Sequence, residues 1–174
     1  YGWIAPSFSG TQLKSGRLAV CADHIVGQWS AYPITHTISS VITSDDHGAT
    51  WQWQAAGSPD GAEMNECAIA TLPNGTLVMN ARNYIGEKDY SVKRAIMWSH
   101  DEGRSWIGPY LNPDLSDPIV QGSMIAGEYT PASLGVGKPL FFTNAHSELD
   151  RANNTLMMST SGGVRWEHVL QVQH

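Results

Sequence analysis

The feature that most constrains this chain is an eight-residue phrase that occurs three times. Residues 44–51 and 99–106 both read Ser-x-Asp-x-Gly-x-(Thr/Ser)-Trp, and residues 159–166 keep the Ser, the Gly and the Trp but not the Asp. We call these segments box 1, box 2 and box 3. From position 44 to 99 and from 99 to 159 the steps are 55 and 60 residues. A nearly fixed period of this length predicts one supersecondary unit that is repeated along the chain.

Each box predicts a β-hairpin turn. An Asp side chain at the third position can accept hydrogen bonds from nearby backbone N–H groups, and the Gly supplies a positive φ. The Trp is expected to start the next strand and to bury its ring beneath the turn. The stretches before boxes 1 and 2 are rich in β-branched or apolar residues, as strands are. The box residues expected to be structural are Ser44, Asp46, Gly48 and Trp51, and Ser99, Asp101, Gly103 and Trp106.

A second feature keeps the same period. Residues 12–20, 70–79 and 134–142 each read as a strand, a Gly turn and another strand, and Asn74-Gly75 predicts a two-residue type I′ turn. Two hairpins per period make four antiparallel strands, which is the content of a propeller blade. Sustained helical periodicity is absent. The sequence therefore predicts an all-β fold, a β-propeller with about three blades.

The blades are expected at roughly 1–57, 58–115 and 116–174, within one domain. Long loops are predicted at 58–65, 109–121 and 147–154. Because a closed propeller needs roughly four to eight blades, the chain is expected to be part of a larger one.

Composition excludes several functions. The net charge of −6 and the lack of a basic stripe argue against nucleic-acid binding, and no apolar run is long enough to span a bilayer. Cys21 and Cys67 form neither a disulfide framework nor a metal-type pair, so two buried free thiols are expected, and a single bridge between them stays open at the level of sequence. The box carboxylates lack calcium-loop spacing and the seven His lack zinc spacing. We therefore predict no metal and no cofactor.

Three further motifs carry chemical side chains. They are the runs 64–70 with Asn65-Glu66, 80–84 with Asn80-Ala81-Arg82, and 150–153 with Arg151. Joined with the boxes and with Gln121-Gly122-Ser123, this order resembles the exo-α-sialidase (neuraminidase) family of Asp-box, or BNR-repeat, propellers. The resemblance spans nearly the whole chain and implies a propeller of six blades when complete.

The resemblance implies a retaining glycosidase that releases terminal sialic acids from sialylated glycoconjugates. Arg82 and Arg151 resemble the second and third members of an arginine triad that binds the sialic acid carboxylate, a task suited to a planar, always-charged fork. Glu66 resembles the base that activates a Tyr nucleophile. Gln121 resembles a residue that contacts the sugar or shapes the pocket wall.

The remaining catalytic groups of the family are expected outside this sequence. They are the first triad Arg and the acid/base Asp, which precede the matching region, and the Tyr, which follows it. Tyr84, Tyr90, Tyr110 and Tyr129 do not stand at the matching place. The 174 residues alone are therefore expected to be inactive.

Alternatives stay open at the level of sequence. Each arginine also reads as a surface residue, Glu66 as a solvated strand-end glutamate, and Gln121 as a structural loop residue. The whole chain also reads as a non-catalytic Asp-box propeller that binds glycans or docks proteins. The combination of Glu66, Arg82 and Arg151 favours the enzyme, because a scaffold has no need of it. Hydrolysis and transfer to another sugar are both open.

Overall fold

The computed structural model of the protein describes residues 3–26, 36–56, 64–83, 93–127 and 138–172. These ranges hold twelve β-strands and no helix. The turn of the third predicted hairpin, at Gly135 to Gly137, lies outside the described residues. The strands are β1 (Trp3–Gln12), β2 (Leu18–Val26), β3 (His36–Ser44), β4 (Gln52–Ala55), β5 (Met64–Thr71), β6 (Leu77–Asn83), β7 (Lys93–Ser99), β8 (Ile107–Ser116), β9 (Ser123–Ala126), β10 (Leu140–Ala145), β11 (Asn154–Ser159) and β12 (Glu167–Gln171).

The strands form three four-stranded sheets, each in simple sequence order. The orders are β1-β2-β3-β4, β5-β6-β7-β8 and β9-β10-β11-β12, with every neighbouring pair antiparallel. The first strands of the sheets pack together, β1 against β5 and β5 against β9. Three antiparallel sheets that meet along their first strands are three blades of a β-propeller, as predicted.

The core consists of two apolar layers, one on each face of the middle sheet. Cys21 and Val41 of the first sheet pack with Ile69 and Met79 of the second. On the other face, Ile96 of the second sheet belongs to a cluster with side chains of the third. Successive residues of a strand point to opposite faces, so β6 supplies both layers and is almost continuously buried.

The boxes form the turns between the third and fourth strands of each blade. Ser44 Oγ accepts the Gly48 N–H at 2.8 Å, and Asp46 Oδ1 accepts the Thr50 N–H at 2.8 Å. Box 2 repeats both bonds at the same distances. The fifth-position glycines have φ near 90°, and the residue before each also has a positive φ, which the sequence reading missed.

Box 3 keeps this geometry without its aspartate. Ser159 Oγ accepts the Gly163 N–H at 2.9 Å, and Ser161 Oγ accepts the Arg165 N–H at 2.8 Å. A glycine, Gly162, occupies the first of its two positive-φ positions. Ser161 thus makes the backbone hydrogen bond that an Asp makes in the other boxes. Gly162 adopts the positive φ that His47 and Glu102 adopt in boxes 1 and 2.

Two details of the turns differ from expectation. Trp51 is 44% exposed rather than buried, whereas Trp166 is buried. The Asn74-Gly75 turn is not type I′, because only Gly75 has a positive φ. The Gly75 N–H donates to the Leu72 carbonyl and the Leu72 N–H donates to the Thr76 carbonyl, which closes a three-residue loop. Asn74 Oδ1 accepts the Thr76 N–H at 3.0 Å. The Asn side chain thus stabilises a loop one residue longer than predicted.

Candidate active site

Glu66 and Arg82 lie side by side at one end of the middle blade. The pairing of β5 with β6 shifts register between Met64 and Cys67, so that Asn65 and Glu66 oppose Arg82 alone. This is a β-bulge, a device that re-aims side chains next to functional sites. Arg82 Nη1 donates to Glu66 Oε2 at 2.6 Å, with the two side chains 13% and 32% exposed. The bulge therefore presents a charged pair that is largely shielded from solvent.

The bulge is fixed from the first blade. Ser39 Oγ on β3 donates to the Asn65 carbonyl at 2.6 Å, and Ser39 is fully buried. The Cys67 thiol lies within 3.8 Å of the carbonyl oxygens of Ala22 and Ser40. These contacts between blades hold the start of β5, which carries Glu66, in one place. Cys21 and Cys67 are both buried and not joined in a disulfide, as expected, and burial raises the pKa of Cys21.

Arg151 lies in the connection between β10 and β11. The His146 N–H donates to the Asn153 carbonyl at 3.0 Å and closes this connection, where Asn153 adopts a positive φ. The exposed Arg151 guanidinium donates from Nη2 to the Ile119 carbonyl at 3.2 Å. Its hydrogen bond is thus with the segment that joins the second and third blades, and not with the Glu66–Arg82 pair.

Gln121 and Arg151 line adjoining cavities. Gln121 and Cys67 belong to the wall of an open cavity of about 390 Å³. Arg151 lines a larger one of about 710 Å³, and both walls include Ala145 and Asn154. Since Cys67 directly follows Glu66, the cavity of Gln121 reaches the chain segment that carries the candidate base. A further cavity of about 380 Å³ lies at the other end of the strands, beside the hairpin turns.

The sequence reading missed a buried ion pair between the blades. Arg94 Nη1 donates to Asp117 Oδ2 at 3.0 Å, and both side chains are 0% exposed. Burial lowers the pKa of Arg94 and the Asp117 charge opposes this, although an arginine stays protonated in proteins. The signal was available in sequence, because Arg94 stands directly before the apolar run Ala95-Ile96-Met97 of a strand. A charge at such a position requires a partner.

Neither a group of metal-ligating side chains nor a membrane-spanning helix is found in the part of the chain that the structure describes. In the ranges that the structure covers, no three His, Cys, Asp or Glu side chains are grouped so that they could hold a metal ion. The described residues also include no helix with the length and apolar character to cross a membrane.

The fold and the boxes define the class of protein, a β-propeller with Asp-box turns. The chain belongs to the BNR repeat-like domain family, which it matches over residues 7–174. It is 32% identical to the sialidase of Micromonospora viridifaciens over 170 residues, 95% of this chain and 25% of that protein. It is also 32% identical to sialidase-4 of Mus musculus over 131 residues, 72% of this chain and 26% of that protein. The chain thus spans about a quarter of the length of these relatives.

Solved structures give the same answer for the fold. The Hadza microbial sialidase Hz136 superposes with a TM-score of 0.71 at 26% identity, covering 94% of this chain and 29% of that one. The NanB sialidase of Streptococcus pneumoniae superposes with a TM-score of 0.70 at 22% identity, covering 91% and 22%. The chain is therefore a sialidase-like segment of the BNR-repeat family.

Proposed function

We propose that the full-length protein is an exo-α-sialidase, a retaining glycosidase that releases terminal sialic acids from glycoconjugates. The observation that carries the proposal is the Glu66–Arg82 pair, with Nη1 and Oε2 2.6 Å apart on a β-bulge. A carboxylate next to a guanidinium provides a proton acceptor and an anion-binding group in one place. That combination suits a substrate whose reacting carbon bears a carboxylate.

In this proposal Arg82 and Arg151 bind the substrate carboxylate, and Gln121 contributes to the sugar-binding wall. The adjoining cavities lined by Gln121 and Arg151 support a common binding region for these two side chains. Both guanidinium groups are permanently charged, so the site is prepared for a carboxylate at any physiological pH.

Glu66 is proposed to act as the base. A phenol has a pKa near 10, so a Tyr nucleophile from outside these 174 residues must lose its proton to a nearby group as it attacks. Glu66 accepts that proton while the phenol oxygen bonds to the anomeric carbon, and the aglycone leaves with a proton from the acid/base Asp expected outside these residues. Water then gives a proton to that Asp and bonds to the anomeric carbon, the Tyr leaves and recovers its proton from Glu66, and the two displacements together retain configuration. A Tyr suits this substrate, because a carboxylate nucleophile would be repelled by the sugar's own carboxylate.

The test is Glu66→Gln in the full-length protein, assayed with a fluorogenic α-sialoside. We expect kcat to fall by about 10²- to 10⁴-fold, the usual contribution of a general base, with a much smaller change in KM. Glu167→Gln on exposed β12 is the matched control and should be unchanged.

Three outcomes would contradict the proposal in different ways. Equal losses in kcat and in substrate affinity would remove Glu66 from the role of base. Glycan binding without turnover by the wild-type protein would favour the non-catalytic propeller. Robust hydrolysis by the 174 residues alone would show that groups within this chain suffice.

A further inference from the structure

The guanidinium of Arg94, on β7, joins two parts of the candidate site. It is fully buried and its Nε donates to Asn80 Oδ1 at 2.7 Å. Its Nη1 donates both to Asp117 Oδ2 at 3.0 Å and to the Val120 carbonyl at 2.6 Å. The Phe142 ring of the third blade lies over it, with its centroid 5.3 Å from Cζ. One planar group therefore connects strand β6, the 117–120 segment and the third blade.

The segment that Arg94 binds has an unusual backbone. Asp117 Oδ1 accepts the Val120 N–H at 3.0 Å, which closes a tight turn, while its Oδ2 accepts from Arg94. Inside this turn Ile119 has a φ of 54°. A positive φ is a rare conformation for a β-branched residue and persists only where the surroundings enforce it. The hydrogen bonds of Arg94 and Asp117 are the enforcing contacts.

The conformation of the 117–120 turn determines where the Ile119 carbonyl and Gln121 of the candidate site lie. The carbonyl of Ile119 accepts the Arg151 guanidinium at 3.2 Å, and Gln121 follows Val120 directly in the chain. At the other end of the network, Asn80 lies two residues before Arg82 on β6, so both belong to the same face of the strand. Displacing Arg94 would therefore disturb Arg82 and Arg151 together.

We propose that Arg94 is a positioning residue for binding of the substrate carboxylate. Its guanidinium holds strand β6 and the 117–121 segment in a fixed relative position, so that Arg82 and Arg151 can bind the same carboxylate. The inference rests on the proposed sialidase function. Lysine cannot replace arginine here, because one ammonium cannot hold Asn80, Asp117 and the Val120 carbonyl in the fixed plane of a guanidinium.

The experiment uses the full-length protein and two probes, a sialic acid and its carboxamide, in which a neutral amide replaces the carboxylate. The Kd of the carboxamide divided by the Kd of the acid measures how strongly the site prefers the carboxylate. We expect Arg94→Lys to reduce this ratio by about tenfold or more, the equivalent of one charged hydrogen bond, at equal folded fraction. The matched control is Arg104→Lys, an exposed arginine of box 2, which should leave the ratio unchanged.

A second variant keeps the inference testable if Arg94→Lys does not fold. Asp117→Asn keeps the shape of the side chain and removes the charge opposite Arg94, and it should lower the same ratio. If either folded variant loses thermal stability but keeps the wild-type ratio, Arg94 is only a structural residue and the inference is overturned. If the wild-type protein itself does not prefer the acid over the amide, the proposed function fails and the inference falls with it.

Discussion

The third residue of a box determines how its turn responds to acid. Asp46 accepts bonds from the Thr50 hydroxyl and N–H and from the Ser44 hydroxyl, and these lower its pKa from 3.8 to about 2. For Asp101, burial alone raises the pKa, but bonds from Ser105 and Ser99 outweigh it and lower the pKa to about 2. Ser161 makes the equivalent backbone bond in box 3 without titrating.

Asp101→Ser should therefore remove an acid-sensitive contribution while keeping the turn. Because the folded-state pKa is depressed, Asp101 stabilises the fold above about pH 4 and loses that contribution as the pH falls through 2. After allowance for solvent screening, we expect the free energy of unfolding of the wild type to exceed that of the variant by about 1 kcal/mol at pH 6. This gap should shrink below about pH 4 and continue to fall through pH 2.

The gap is measured by urea unfolding of wild-type and variant full-length protein across this pH range. Glu167→Ser, at an exposed strand position, is the control and should show no such trend. A gap that stays constant with pH would mean that Asp101 stabilises its turn by something other than its charged form.

At the scale of elements, the blades are joined by side chains that bind box backbones. Asn112 of β8 is fully buried, and its Nδ2 donates to the carbonyls of Gly163 and Val164 at 3.2 and 3.0 Å. Its Oδ1 accepts the Asp114 N–H at 3.0 Å. All polar atoms of this side chain are thus used at the seam between the second and third blades.

Asn112→Ala should destabilise the protein by about 1–3 kcal/mol, because it removes a fully buried side chain together with its three hydrogen bonds. Asn74→Ala, which removes one bond in an exposed turn, is the matched comparison and should cost less than about 1 kcal/mol. Both are read from urea unfolding at neutral pH. Equal losses for the two variants would show that burial of the seam does not add to the cost.

The sequence predicted the repeated strands and turns better than the strand boundaries and the local irregularities. The boxes recur, and their Ser, Asp and Gly types have local roles, so three blades followed without tertiary information. The predicted loop at 109–121 is largely strand, since β8 runs to Ser116 despite two prolines. The bulge opposite Arg82 depends on pairing with another strand, and the positive φ of Ile119 occurs in a turn that is hydrogen-bonded to buried Arg94. Neither has a signal in the local pattern.

For the candidate site, the same division holds. The candidate residues at 66, 82, 121 and 151 were chosen from the order of the motifs, and their roles stay predictions. The ion pair of Glu66 with Arg82 and the bond of Arg151 to Ile119 required the structure, since the partners come from separate strands and segments. The position of Arg94 before an apolar run indicated that it needs a partner, but its pairing with Asp117 of a separate segment required the structure.

At the scale of the whole molecule, the middle sheet joins two separate apolar layers. Ile69 belongs to the layer shared with the first blade, and Ile96 belongs to the layer shared with the third. The two side chains are nearly fully buried, and among the described residues their two clusters have no member in common. Repeat architectures of this kind gain stability as a sum of unit and interface contributions.

We therefore expect Ile69→Val and Ile96→Val to act independently. Each should cost about 0.5–1.5 kcal/mol for the lost methylene, and the double variant should equal the sum within about 0.5 kcal/mol. Val169→Ala on exposed β12 is the control, expected within about 0.5 kcal/mol of wild type. Denaturant unfolding of the full-length protein gives all four values. A double variant that departs clearly from the sum would mean that the middle sheet transmits strain from one interface to the other, because no buried side chain of the described residues belongs to both layers.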